Sequence, residues 1–390
     1  GAQGSRRDRS PDAPLILQRH MTQGMIRIEG RGPVALAFQR LLAREGLPPE
    51  RIAADPVDAV VPDWLGSRSL ALSLGSLQLL ARIVPQCSPH DLRGSPSLAA
   101  PITTVDVTRA GASGGTRIEA SQLGVPMLGA VMRYATLHRL LHDAVHAAGA
   151  TCAPADDTPA ALTVIADGDT GESNTVRTRS FDQQALLTEV EVDRDRAGWA
   201  YERFTSEGPL ALLPLPEPRR RALVWCAPAT RCEERAALSE SAFNATLARA
   251  FGPLLGALHV CKPRHVSPVT RRIGPLLRDA TRIAIGNAAQ SLHPVAGQGL
   301  NLGLRDAAAL ARALGDWHGQ GHALDQTLAH FAASRRADRE AMVATTDLLA
   351  SLTCPDLLRP AHAAALSLID LCTPLRRTVA RGLMFGLRAR

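Results

Sequence analysis

The chain has 390 residues, 45% of them apolar, which is enough for a large core and too long for a small single one, so two closely packed domains are expected. Only 3% of residues are aromatic, which argues against a base-stacking nucleic-acid platform. The net charge of +7 comes from 44 basic residues interspersed with 37 acids; that distribution suits anionic cofactors or an anionic membrane surface and predicts no nucleic-acid partner.

The seven cysteines have no CxxC spacing and are odd in number, as expected of packed thiols in a reducing, cytoplasmic compartment. No apolar run approaches the ~18 residues of a membrane span. Residues 1–24 are polar and arginine-rich around Leu15-Ile16-Leu17 and read as a disordered leader.

Met25 to Glu29 reads as a first strand. Gly30-Arg31-Gly32-Pro33-Val34-Ala35 follows, then apolar residues at helical spacing and a stop at Gly46. This is GxGxxA opening a helix, a weak form of the dinucleotide fingerprint. Gly30 and Gly32 permit a tight turn, and Ala35 can stand where helix meets strand. Arg51 to Ala54 is a second short strand ending at Asp55, an acid placed to bind a ribose hydroxyl. Arg68 precedes an apolar stretch and reads equally as a surface arginine before a core helix. Ile102 to Val107 and Thr116 to Ile118 read as strands, and Leu123 to Leu141 leads into a helix on which His138 would most simply be a surface residue.

Leu162 to Ala166 is an apolar strand ending in Asp167-Gly168. From Gln184 the pattern turns β-rich, with strands at Leu186 to Val192, Ala200 to Phe204, Leu210 to Leu213 and Ala222 to Trp225. A helix over Ser241 to Phe251 comes next. Ile283 to Ile285 then forms a buried strand stopping at Gly286-Asn287. His293-Pro294, Gly297-Gln298-Gly299, Leu300 and Asn301 lead into an alanine- and leucine-rich helix. Glycines at a helix mouth let a ligand reach unpaired N–H groups and the positive dipole end, although three glycines alone mark an ordinary loop as readily. Asp325 to Leu352 is a long helix, and Ala363 to Arg390 a helical region interrupted at Pro374. From Leu371 that region carries five arginines and no acid, and reads either as a solvated basic tail or as an amphipathic contact with a membrane or partner subunits. No GxSxG elbow and no metal-ligand spacing appears.

The segment GNAAQSLHPVAGQGLNLGLRD, from Gly286 to Asp306, resembles the third flavin motif of the aromatic-ring hydroxylases of ubiquinone biosynthesis. The resemblance implies an α/β fold like that of p-hydroxybenzoate hydroxylase: a Rossmann-like FAD-binding domain interleaved with a mixed β-sheet substrate domain. The FAD-binding domain would take residues 25–100, 126–182 and 276–353, the substrate domain 101–125 and 183–275, and a C-terminal helical region 354–390. It further implies that Gly30, Gly32, Ala35, Asp55, Arg68, His138, Asp167, Gly286, Asn287, Gly297, Gln298, Gly299, Leu300 and Asn301 hold FAD. Asp167 would also serve NADPH, and Pro294 would border the substrate pocket. His293 is the best titratable candidate for catalysis because an ordinary imidazole titrates near neutrality.

The implied reaction uses NADPH and O2, with a flavin C4a-hydroperoxide hydroxylating a prenylated phenol, at the inner face of a membrane and beside other ubiquinone-biosynthesis enzymes. A competing expectation is a non-catalytic relative acting as an assembly subunit, motivated by Glu29, His138 and the irregular Asp167-Gly168 region.

Overall fold

The computed structural model describes residues 24–111, 115–148, 160–168, 175–351 and 373–386. The leader, the acids of 169–174 and most of the expected C-terminal region fall outside them.

Four parallel strands carry the nucleotide side of the fold. β1 (Ile26–Glu29) pairs with β2 (Ile52–Ala54) on one side and β8 (Leu162–Ile165) on the other, and β15 (Arg282–Ala284) continues beyond β8. Each is short and buries apolar side chains: Ile26 and Ile28 in β1, all three residues of β2, Leu162 and Val164 in β8, and Ile283 and Ala284 in β15. All four therefore end at the same edge, where Gly30, Asp55, Ala166-Asp167 and Ile285-Gly286 emerge together. Ligands of open parallel sheets bind at that edge. Glu29 points across β8 and pairs with Arg282 at 3.3 Å, so its charge is met within the sheet.

Helix α1 (Pro33–Arg44) buries Leu36, Phe38, Leu41 and Leu42 against this sheet. Helices α2 (Leu74–Ala81) and α3 (Tyr134–Ala147) pack nearby, and α6 (Gln298–Gln320) lies along α1. A second, antiparallel sheet joins β3 (Ser69–Ser73), β7 (Gly129–Arg133) and β4 (Ala99–Ile102). Arg68 thus precedes a strand, and a helix only after it.

The third sheet has nine strands among the described residues. Its spine runs from β16 (Gln290–Ser291) through β14 (His265–Ile273), β9 (Arg177–Val192), β12 (Arg220–Pro228), β11 (Pro209–Pro214) and β10 (Trp199–Phe204) to β5 (Thr104–Arg109) and β6 (Gly115–Glu119). Two sequence expectations change here. The single strand expected over Ile102 to Val107 is split at Thr103, where the N–H groups of Thr103 and Thr104 both donate to the Gly198 carbonyl, and its halves enter different sheets. β9 is 16 residues long and begins at Arg177, because its exposed first half is held by pairing with β14 rather than by an apolar pattern.

One side of this sheet is closed by α4 (Ala229–Ala237) and α5 (Glu240–Phe251), which pack on Trp225, Leu212 and Tyr201. The other side faces the nucleotide domain: Ala200, Ala222 and Leu213 meet its core, and Phe204 packs with Val295. The 28-residue α7 (Leu324–Ser351) runs beside α6. Between them Arg335 bridges Asp306 at 2.7 Å and Asp338 at 2.6 Å, both carboxylates nearly inaccessible. Buried charges of this kind persist only when paired, since an unpaired partner would cost several kcal/mol.

The final described helix, α8 (Thr373–Phe385), carries Pro374 at its described start, where a missing N–H costs nothing; residues 352–372, which include the first part of the expected region, lie outside the described residues. Its Met384 and Phe385 pack onto the nucleotide-domain core, the helix lies against α2 and β3, and Ala380 is buried. Met384 and Phe385, two residues of the expected amphipathic side, thus face the protein, while Arg377 and Arg381 are exposed and Leu387 lies outside the described residues.

Candidate functional site

At the end of β1, Gly30 has φ +136°, and a Cβ built on it would lie 2.5 Å from the Ala166 backbone. Only glycine lets the chain turn there while pressed against the end of β8. The Gly30 N–H donates to Asp55 Oδ2 at 2.9 Å, tying the loop to the end of β2. Two residues on, Gly32 is the N-cap of α1. It provides no side-chain cap, the first turn holds no acid, and Pro33 occupies the first helical position. The N–H groups of Val34 and Ala35 therefore have no intrahelical acceptor, and the positive end of the helix dipole is unopposed. Ala35 is buried at the helix–sheet contact.

Around this loop lie residues from α3. The Tyr134 hydroxyl is 3.6 Å from the position a Cβ on Gly32 would take, and the Tyr134 ring stacks on His138 with centroids 6.0 Å apart. Exposed Arg68 accepts the Tyr134 N–H on its own carbonyl, and its charge acts on the Tyr134 hydroxyl. His138, expected at the surface, is 2% exposed. Burial lowers its basicity, and a backbone hydrogen bond to Arg31 partly opposes this. Its Nδ1 has no partner among the described residues: an orphaned acceptor inside the glycine loop.

The second half of the site is built on β15 and α6. Gly297, in the left-handed region at φ +58°, caps α6 without a side chain, and again no acid stands in the first turn. Gly299 and Leu300 carry N–H groups of that turn. A Cβ on Gly303 would sit 2.9 Å from the Gly286 Cα and 3.0 Å from Val34 Cγ2. Two glycines thus let α6 press against the β15 turn and the start of α1, bringing the two uncapped helix ends side by side. Asn287 is exposed beside Gly299, Gln298 is buried, and Leu300 packs at the edge of the core.

Two candidates change their role. Asn301 is 1% exposed and its side chain is fully used internally: Oδ1 accepts from Ser73 N at 2.8 Å, and Nδ2 donates to the carbonyls of Ala71 (2.9 Å) and Gly297 (2.8 Å). It fastens the glycine loop to β3; its side chain does not reach for a ligand. His293 is likewise buried, and desolvation lowers its pKa to about 4. Its Nδ1 accepts the Val295 N–H at 3.1 Å and its Nε2 faces Gln183 Oε1 at 3.4 Å, which assigns the proton to Nε2. At neutral pH it is a neutral strut between the loop and β9, not a titrating catalyst. Pro294, next to it, is exposed. Asp167 is exposed at the end of β8, within electrostatic reach of Arg278.

A side-chain-free glycine cradle, the Asp55 carboxylate and an orphaned imidazole nitrogen at one helix end suit a pyrophosphate and ribose. A second uncapped helix end suits the electron-rich edge of a flavin ring. The residues present thus fit FAD.

Residues 160–346 match the family model for an FAD binding domain. Over about half its length the chain is similar to FAD-dependent hydroxylases of ubiquinone biosynthesis. It is 36% identical to the ubiquinone hydroxylase UbiL of Rhodospirillum rubrum over 217 residues, 55% of this chain and 50% of that protein. It is 30% identical to the 3-demethoxyubiquinol 3-hydroxylase of Escherichia coli over 170 residues, 43% of each. The matched region thus spans half or less of these relatives' length. Over the whole fold the chain resembles the p-nitrophenol 4-monooxygenase PnpA of Pseudomonas putida, with a TM-score of 0.70, 16% identity and coverage of 94% of this chain and 99% of that one. At that identity the likeness concerns the fold.

The sequence assigns no individual role to Tyr134, whose hydroxyl lies beside Gly32, or to Glu202 on β10. Tyr134 carries no motif at all. Glu202 does carry a signal: it is an acid at a strand position that points the same way as Ala200 and Phe204.

Proposed function

We propose that the protein is an FAD-dependent monooxygenase that hydroxylates a prenylated phenol of ubiquinone biosynthesis, with NADPH as reductant and O2 as co-substrate. The observation that carries this reading is the pairing of two uncapped, acid-free helix ends, α1 at Gly32 and α6 at Gly297, held together through Val34, Gly286 and Gly303. When bound, FAD would supply the reaction with electrons and with activated oxygen. The chain's part is to hold and shield.

Val34 and Ala35 N–H groups would meet the pyrophosphate, Asp55 a ribose hydroxyl, and the first turn of α6 negative charge on the pyrimidine ring. Asn301 and His293 brace the loop from 293 to 297 through Gly297 O and Val295 N–H, which would help hold the first turn of α6 in place for a flavin. Phe204 and Val295 close an apolar contact between sheet and loop that would help exclude water from the ring once bound. The Gly286-Asn287 form with Gln290 favours a substrate like that of 2-polyprenyl-6-methoxyphenol hydroxylase. Gln290 itself is internal, donating to Asp306 and accepting from Arg339. Membrane contact would rest on the exposed arginines of α8.

The test is NADPH oxidation by FAD-loaded protein with and without a prenylated phenol, with product mass measured. Phenol-stimulated oxidation and a product heavier by one oxygen support the reading. Oxidation that ignores the phenol and yields only hydrogen peroxide contradicts it.

A further inference from the structure

Resting on the oxygenase reading, we propose that Glu202 is the residue that receives the substrate's phenolic hydroxyl, accepting its hydrogen bond from the inner face of the large sheet and so orienting the ring toward the glycine loop. The strand alternates. Tyr201 and Arg203 point to the side closed by α5, so Ala200, Glu202 and Phe204 point to the nucleotide domain. Glu202 is bracketed along its strand by two contacts with that domain: Ala200 in its core, and Phe204 on Val295. Phe204 is about 7 Å further along the strand at the usual rise, so Glu202 sits one pleat away from the loop that links His293 to Gly297.

Its neighbours across the sheet are apolar. Register places Val107 on one side, Ala211 on the other and Val224 beyond it. No described residue forms a hydrogen bond or ion pair with the Glu202 carboxylate. Desolvation lifts its pKa to about 7. Yet Glu202 keeps accessible surface, as do Val107, Leu187, Leu213 and Val224 on the same face. Glu202 thus sets a desolvated carboxylate with no described partner among Val107, Leu187, Leu213 and Val224 on the inner face of the sheet. A greasy phenol is complementary to it: the alkyl chain matches the valines and leucines, and the O–H supplies the donor that the carboxylate lacks. A structural carboxylate in that position would instead be paired.

The experiment compares a 2-prenylphenol with its methyl ether, which keeps the shape and lacks the O–H. Binding to FAD-loaded protein is measured by calorimetry for wild type, Glu202→Gln and Glu202→Leu, with bound flavin counted from the visible spectrum. Wild type should prefer the phenol by about tenfold or more, the worth of a hydrogen bond to a charged or strongly polarised acceptor. Glu202→Leu should bind phenol and ether alike while holding the same flavin. Glu202→Gln, which retains an acceptor and the volume, should keep part of the preference and guards against a Leu variant that fails to fold. An unchanged phenol preference in either foldable flavin-loaded variant that lacks the carboxylate overturns the proposal. Wild type that takes up no flavin overturns the oxygenase reading beneath it, which is a separate result.

Discussion

Asn301 accepts the backbone N–H of Ser73 at 2.8 Å across 228 residues of sequence, and so joins the glycine loop to the edge of the antiparallel sheet. Ser73 is also the N-cap of α2, accepting from Ser76 N. One amide therefore fixes a strand end, a helix start and a ligand loop together. Replacing Asn301 by Ala leaves one N–H and two carbonyls buried without it, a loss of about 2–4 kcal/mol at the usual cost of orphaned groups. Urea unfolding should register that loss. Asn301→Asp should be worse at neutral pH than its similar size suggests, because a carboxylate would face the Ala71 and Gly297 carbonyls in place of an NH2.

Gly30 should tolerate no side chain. Its φ of +136° and the 2.5 Å approach to Ala166 predict that Gly30→Ala destabilises by about 3 kcal/mol or more. Gly319, within α6 with nothing near its would-be Cβ, is the internal control: Gly319→Ala should stabilise by about 0.5–1 kcal/mol. Thermal denaturation of both variants checks the contrast. Similar effects of the two substitutions would mean that the β1 turn is not under the constraint described.

Acid should weaken the fold through His293. Its pKa falls from 6.5 to about 4 on folding, so the unfolded chain binds the proton more readily between those values. Stability is then full above pH 6.5 and declines as pH falls toward 4, by about 3 kcal/mol in total from this one group. His293→Gln should flatten that part of the profile. Glu202 acts in the opposite sense: its pKa rises from 4.5 to about 7, so its contribution worsens as pH climbs through that window. Glu202→Gln should be more stable relative to wild type at pH 8 than at pH 5, measured by unfolding at each pH.

Asp55 separates loop shape from cofactor contact. In Asp55→Asn an amide oxygen can still accept the Gly30 N–H, whereas Asp55→Leu removes the acceptor. Losing a charged hydrogen-bond acceptor costs about 1.5–3 kcal/mol, so FAD should bind at least tenfold more weakly to the Leu variant. The Asn variant should fall between it and wild type in a fluorescence titration of FAD. Equal affinities for all three proteins would remove Asp55 from the binding site.

The parallel strands and both glycine motifs were legible because short strands that stop at a glycine turn or an acid, as at Gly30, Asp55, Asp167 and Gly286, have few other uses in an α/β chain. The roles of His293 and Asn301 were not, because their partners, Gln183 and Ser73, lie far away in sequence and only folding brings them close. His138 reads as a surface residue by residue type, yet it sits between Leu137 and Leu141 on the buried side of α3. The early start of β9 was hidden because residues 177–183 have no apolar alternation and are ordered by β14. Glu202 was visible only once the orientation of β10 was known, since strand alternation gives two faces without saying which one meets the cofactor.

The most direct test is a titration of the purified protein with FAD, followed by flavin fluorescence and by the visible spectrum. The account predicts saturable one-to-one binding in the micromolar range or tighter, abolished in a Gly32→Val, Gly297→Val double variant that places side chains at both helix ends. A wild-type protein that shows no saturable binding, or a double variant that binds as tightly as wild type, would contradict it.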